Sequence, residues 1–138
     1  MKAEEVLNLA SKYGFNADEA HPLKDEASGR KYWRLKNNSE SIVFCYLDPN
    51  IGDHKNFIKI STDLIANNVS APKILHHDKD IGVIIQEDLG KEDLLNALDQ
   101  NNKRNILEKS LDVLIKVQQS KINGLIEFSI EDLRKQMD

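Results

Sequence analysis

Residues 81–90 read Ile-Gly-Val-Ile-Ile-Gln-Glu-Asp-Leu-Gly, and this stretch narrows the fold more than any other in the chain. A short apolar run bounded by Asp80 and Gly90 has the length and flanks of a fully buried strand. A helical pattern, Glu92 to Leu98, follows almost at once. The polar step between them is Gln86-Glu87-Asp88. It is a crank whose backbone N–H and C=O groups leave the strand ladder and can face a cleft. A strand buried on both faces needs neighbours, so the rest of the chain must supply a sheet.

The first neighbour is residues 42–47, Ile-Val-Phe-Cys-Tyr-Leu, apolar or aromatic at every position. A strand covered on both faces belongs in the middle of a sheet, and Cys45 is most simply part of that core. The turn Asn37-Asn38-Ser39-Glu40 joins it to an earlier strand in which Tyr32, Arg34 and Lys36 face one way and Trp33 and Leu35 the other. Residues 20–23 suit a further strand, at an edge because Pro22 cannot donate to a ladder. Ahead of it, Ala3, Val6, Leu7, Ala10 and Tyr13 fall at helical spacing, with Gly14 where a left-handed cap belongs.

Between those two strands lies Ala27-Ser28-Gly29-Arg30-Lys31. Small residues in a turn let backbone N–H groups approach an anion, with the Ser28 hydroxyl and the Arg30 and Lys31 cations beside them. The same residues also suit an ordinary hairpin turn with a basic, solvated face. A single glycine makes this neither a Walker loop nor a glycine-rich kinase loop.

Beyond the central strand, Phe57, Ile60, Leu64 and Ile65 mark a helix with Asp53 as its N-cap, stopping near Asn67-Asn68. Ala71-Pro72 forces extension into a strand at residues 73–77. His76 and His77 are adjacent on that strand and point to opposite faces, so they cannot share one metal ion; His21 and His54 are isolated in sequence. No Cys/His spacing matches a zinc site.

The composition sets outer limits. With 138 residues, 40% hydrophobic and 30% charged, the chain can bury one ordinary core. A net charge of -4 offers nothing broad to nucleic acid or an acidic membrane, although Arg30, Lys31, Tyr32, Trp33 and Arg34 interleave basic and aromatic residues. The single cysteine fits a reducing compartment, and the start of the chain lacks an apolar signal core. A cytoplasmic protein with no membrane span is expected.

Three segments carry a family resemblance. Ala27-Ser28-Gly29-Arg30-Lys31-Tyr32-Trp33-Arg34, then Asn68-Val69-Ser70-Ala71-Pro72-Lys73-Ile74-Leu75, then Gln86-Glu87-Asp88-Leu89-Gly90 follow one another in an order similar to the N-terminal lobe of the aminoglycoside phosphotransferase/choline kinase superfamily. The texture resembles most the bacterial kinases that phosphorylate the anomeric position of N-acetylmuramate and N-acetylglucosamine. The resemblance implies an α+β fold. Residues 1–90 would form a protein-kinase-like lobe, an antiparallel sheet plus helix, and residues 91–138 the first helices of a truncated second lobe. It implies ATP as the nucleotide, with Ser28, Gly29, Arg30 and Lys31 near the phosphates. Gln86, Glu87, Asp88 and Leu89 would form the hinge beside adenine, with Val43 and Ile85 as walls. Residues 42–47 contain no lysine of the kind protein kinases place on the central strand. That leaves open which cation meets the phosphates; Arg34 is disfavoured if it faces outward.

A long helix capped by Asn101 or Asn102 should run to about Ser120 with a wide apolar stripe, and Ser129 should open another. No histidine follows His77, so the acceptor-activating residue and the acids that hold Mg²⁺ are not expected within these residues. The chain is then expected to be the nucleotide-binding portion of a phosphotransferase acting on a small hydroxylated substrate, an amino sugar. Its uncovered helix should favour self-association. A different class also fits the sequence: a non-catalytic α+β module that binds a protein partner or regulates a kinase.

Overall fold

The computed structural model describes residues 1–24 and 28–122. Within them the fold is α+β, built on a five-stranded antiparallel sheet in the order β1-β2-β3-β5-β4. The strands are β1 (Glu19–Pro22), β2 (Lys31–Lys36), β3 (Ser41–Tyr46), β4 (Ile74–Asp78) and β5 (Val83–Glu87). The two most apolar segments, β3 and β5, pair with each other inside the sheet, as their burial on both faces requires. Pro22 lies on the edge strand β1. The strand expected at 73–77 is displaced by one residue, and the β4–β5 pairing carries an irregularity between Ile74 and His76.

Helix α1 (Ala3–Lys12) covers one face of the sheet. Glu4 and Glu5 in its first turn and Lys12 in its last complement the helix dipole, and the Glu5 carboxylate accepts from the Lys2 N–H. Gly14, at φ +87°, lets the chain turn away in the left-handed region. Val6 and Ala10 meet Trp33, Leu35, Phe44, Val83 and Ile85 to form the core. Trp33 and Phe44 pack edge to face with centroids 6.1 Å apart. Burying each of the larger side chains here contributes roughly 1.5–3 kcal/mol before ordering costs. Strand periodicity therefore commits Trp33, Leu35, Phe44 and Ile85 to α1, and leaves Tyr32, Arg34, Val43, Cys45, Ile84 and Gln86 on the opposite face.

Helix α2 (Lys55–Ala66) follows β3. Its N-cap is His54, one residue later than expected; Asp53 instead accepts from the Lys55 N–H. The buried Ser61 hydroxyl bonds the Pro72 carbonyl, which ties the helix to the passage into β4. After β5 come the short helix α3 (Leu94–Ala97), capped by Asp93, and the long helix α4 (Lys103–Gln119). None of α4's residues is buried, and Leu107, Leu111, Val113, Leu114 and Ile115 are exposed. The helix expected from Ser129 lies outside the described residues.

Candidate functional site

Across the sheet face turned away from α1, antiparallel register places Arg34, Val43 and Gln86 in one row, with Tyr32, Cys45 and Ile84 in the next. Where β5 ends, the chain leaves the ladder and passes over the first row. The result is a groove of about 220 Å³. Leu23, Tyr32, Val43, Pro72 and Leu89 supply its apolar surface, and Gln86, Asp88 and Lys24 its polar groups.

The outgoing segment is held in place by a clamp. Arg34 donates from Nε to Asp88 Oδ2 at 2.7 Å, and from Nη2 to Asp88 Oδ1 at 2.9 Å and to the Gly90 carbonyl at 2.6 Å. The Ser41 hydroxyl donates to the same carboxylate, and so does the Gly90 N–H. Burial would raise the Asp88 pKa, but Arg34, Ser41 and the Gly90 N–H outweigh it and hold the group at about 2. Asp88 is therefore ionised and fully engaged. Gly90, at φ +107°, gives the turn a conformation that favours glycine.

Two sets of groups beside this clamp have no partner among the described residues. Among the described residues the backbone N–H and C=O of Leu89 make no hydrogen bond. Gln86, 9% exposed, carries a buried Oε1 with no partner. An orphaned buried acceptor is costly unless something fills it. Groups of this kind beside an apolar slot match the edge of a flat heterocycle that presents both a donor and an acceptor.

Of the residues expected to bind nucleotide, Val43, Gln86, Glu87, Asp88 and Leu89 line this one groove. Ile85 does not. It is fully buried against α1 on the other face, because side chains alternate along β5 and its neighbours Ile84 and Gln86 take the groove side. Lys31 is also on the other face, in step with Trp33 and Leu35. Ser28 and Gly29 are exposed at the far end of β2 and do not line the groove. Arg30 shares the groove face but reaches the start of α2: its guanidinium lies 5.9 Å from the Phe57 ring centre and its Nη2 is 3.4 Å from the Asp53 carbonyl. Ala27, the first residue of the expected turn motif, is outside the described residues. The groove thus joins the outgoing segment to Leu23, Lys24 and Tyr32, which flank the turn, and not to Ser28, Gly29 or Arg30.

Arg34, disfavoured for the phosphates if it faces outward, is turned inward: it is the anchor of the site, with its side chain only 13% exposed. The alternation of β2 already carried that signal, since Arg34 shares a face with Tyr32. The Ser41–Asp88 contact depends on register and had no sequence signal. Lys24 lines the groove as a cation that sequence reasoning passed over, and Lys36 stands against Lys91, depressing the Lys91 pKa. Among the described residues no three His, Cys, Asp or Glu side chains converge where they could hold a metal ion. No helix among them is long and apolar enough to cross a membrane.

With this geometry in view, comparison with known proteins is informative. Over 105 residues, 76% of the chain, the sequence is 31% identical to the N-acetylmuramate/N-acetylglucosamine kinase of Pseudomonas aeruginosa. The chain is a relative of a sugar kinase. The matched residues span 31% of that sugar kinase's own length, so this chain corresponds to about a third of it. No family model matches the sequence.

Proposed function

We propose that the chain is the nucleotide-binding portion of an ATP-dependent phosphotransferase whose acceptor is an amino sugar. The observation that carries this is the groove in which Gln86, Asp88 and Leu89 face Val43 and Tyr32, with an unpartnered buried acceptor at Gln86 Oε1. The likeness to a sugar kinase over 76% of the chain supports it. In this reading residues 1–90 act as a kinase-like lobe, with Asp88 as the locked pivot of the crank. Residues from 91 onward begin a second lobe.

Adenine would lie between Val43 and the outgoing segment, its edge meeting the Leu89 backbone and its exocyclic amino group donating to Gln86 Oε1. Lys24 lines the same groove and supplies a cation for the phosphates, a role that the lysine-free strand β3 cannot fill. Bound ATP supplies the phosphoryl group to be transferred. Mg²⁺ and the acceptor-activating residue belong to the second lobe in this reading, since phosphoryl transfer needs acids to hold the ion and a group to orient the hydroxyl.

Calorimetric titration of the chain with ATP tests the assignment. Saturable one-to-one binding is expected. Val43→Trp, which fills the groove floor, should weaken it at least tenfold while leaving the fold intact by circular dichroism. Unchanged affinity in that variant overturns the placement of the base.

A further inference from the structure

A second cavity, of about 320 Å³, sits at the other end of β5 and is lined by Asp53, His54, Lys55, His77, Lys79 and Gly82 among others. At a rise of about 3.3 Å per residue, five residues of β5 set it roughly 16 Å from the groove at Asp88. His54 stands in its wall and is 1% exposed. His54 Nε2 lies 3.0 Å from the Gly82 carbonyl oxygen. A carbonyl only accepts, so Nε2 carries the ring proton. The neutral ring then leaves Nδ1 as a bare acceptor, and Nδ1 is buried with no partner. Nothing in the groove account uses it.

The surroundings are cationic. Lys55 and Lys79 line the cavity, the His77 ring stands 6.3 Å from His54, and Arg30 reaches the Asp53 carbonyl with its Nε buried and unpartnered. Helix α2 begins here with no side-chain cap from His54 and no acid in its first turn. The one acid lining the cavity, Asp53, is engaged by the Lys55 N–H and lies 3.5 Å from the Lys55 ammonium. Burial depresses the His54 pKa; the Gly82 carbonyl partly opposes this, Arg30 and His77 add to it, and Asp53 pulls the other way. His54 is thus held neutral among Lys55, Lys79 and Arg30, with Asp53 as the one acid of the lining. An ordinary anion would offer Nδ1 only another lone pair. An oxyanion that retains an acidic O–H satisfies both demands.

We propose that this cavity is a binding site for a protonated phosphate group. A small opening of the cavity wall exposes His54 Nδ1, which is closed to solvent as it stands, to the P–O–H donor, and the charged oxygens then face Lys79, Lys55 and the start of α2. The site is separate from the nucleotide groove and does not depend on its assignment. Two sources share this chemistry. Inorganic phosphate keeps an O–H across neutral pH. A phosphate monoester loses its last one above a pKa of about 6.

The test uses the chain in buffer free of phosphate, titrated at constant ionic strength with inorganic phosphate, with glucose 1-phosphate and with sulfate. Long-range ¹H–¹⁵N NMR of the histidine rings is the readout. Inorganic phosphate at pH 7.5 should shift the His54 Nδ1 resonance saturably away from the bare-nitrogen position. Sulfate, which has no O–H, should bind at least tenfold more weakly. Glucose 1-phosphate binding that appears only below about pH 6.5 assigns the site to monoesters as well; failure to bind at any pH confines it to the free ion. Lys79→Ala, an exposed change that leaves the core untouched, should weaken phosphate at least threefold. Equal responses to phosphate and sulfate, an unmoved Nδ1 resonance, or undiminished affinity in Lys79→Ala overturns the proposal.

Discussion

Arg34 grips both carboxylate oxygens of Asp88, Nε at 2.7 Å and Nη2 at 2.9 Å, and so fastens β2 to the segment that leaves β5. The two residues are 54 apart in sequence, and the contact spans the central strand between them. A planar guanidinium can make this paired contact and reach the Gly90 carbonyl as well; a lysine cannot. The clamp sets the path of residues 87–90, so a ligand docking there would meet an already ordered segment.

Removing either partner strands a charge at a mostly buried site. Arg34→Ala and Asp88→Ala should each destabilise the fold by about 2–3 kcal/mol in urea unfolding. The double variant should recover part of the loss, with a coupling energy of at least about 1 kcal/mol. Simple additivity of the two changes contradicts the clamp.

The same pair predicts an acid-sensitive component of stability. The Asp88 pKa is lowered from 3.8 to about 2 in the folded protein. The protonated unfolded state gains as pH falls through that interval, so the contribution is full above pH 3.8 and gone below about pH 2. It should amount to roughly 1–2 kcal/mol, somewhat less than the shift alone gives, because water and salt still reach the 13% and 7% of the two side chains left exposed. Unfolding free energies measured for wild type and Asp88→Asn should converge across that window. A constant gap between them excludes Asp88 as the titrating group.

Gly82 leads into β5 with φ +77°, and a Cβ added there would collide with the Leu47 carbonyl oxygen. Its own carbonyl accepts from the Leu47 N–H and from His54 Nε2. Gly82→Ala combines a left-handed backbone with a clash against main chain, and should cost on the order of 3 kcal/mol or more. By contrast Gly29→Ala, with nothing within 4 Å of its added Cβ, should cost only the strain of φ +73°, about 1–2 kcal/mol. Thermal melts of the two variants should separate by several degrees, and equal melting temperatures contradict the packing around Gly82.

The sheet was legible because its signals are local and redundant. Every position of 42–47 is apolar, Pro22 demands an edge, and Trp33 and Leu35 alternate with Tyr32 and Arg34. The site was legible only in part. Residues 86–89 announced a crank, but which of their neighbours reach the cleft depends on pairing parity. Parity sends Ile85 to α1 and brings Gln86 to the groove. His54 looked isolated because its approach to His77 depends on the turn that starts β5 and on the position of α2. Neither leaves a trace in spacing. The Arg34–Asp88 clamp was hidden for the same reason: an ion pair across 54 residues is a property of register, not of composition.

Helix α4 displays Leu107, Leu111 and Leu114 at i, i+4 and i+7, all exposed. A continuous apolar stripe in water favours association with a second copy of the chain. Light scattering behind size exclusion should show a mean mass that rises with loading concentration, and Leu111→Glu with Leu114→Glu should return it to the monomer value. A monomer at every concentration in the unmodified chain contradicts this.

The proposed nucleotide groove is tested most directly by amide and side-chain NMR shifts of the ¹⁵N-labelled chain on addition of ATP. The account predicts saturable shifts at Val43, Tyr32, Leu89 and the Gln86 side-chain amide, on one side of the sheet, with Val6, Ala10 and Ile85 on the α1 side unmoved. Saturable shifts confined to the α1 face, or none at millimolar nucleotide, would contradict it.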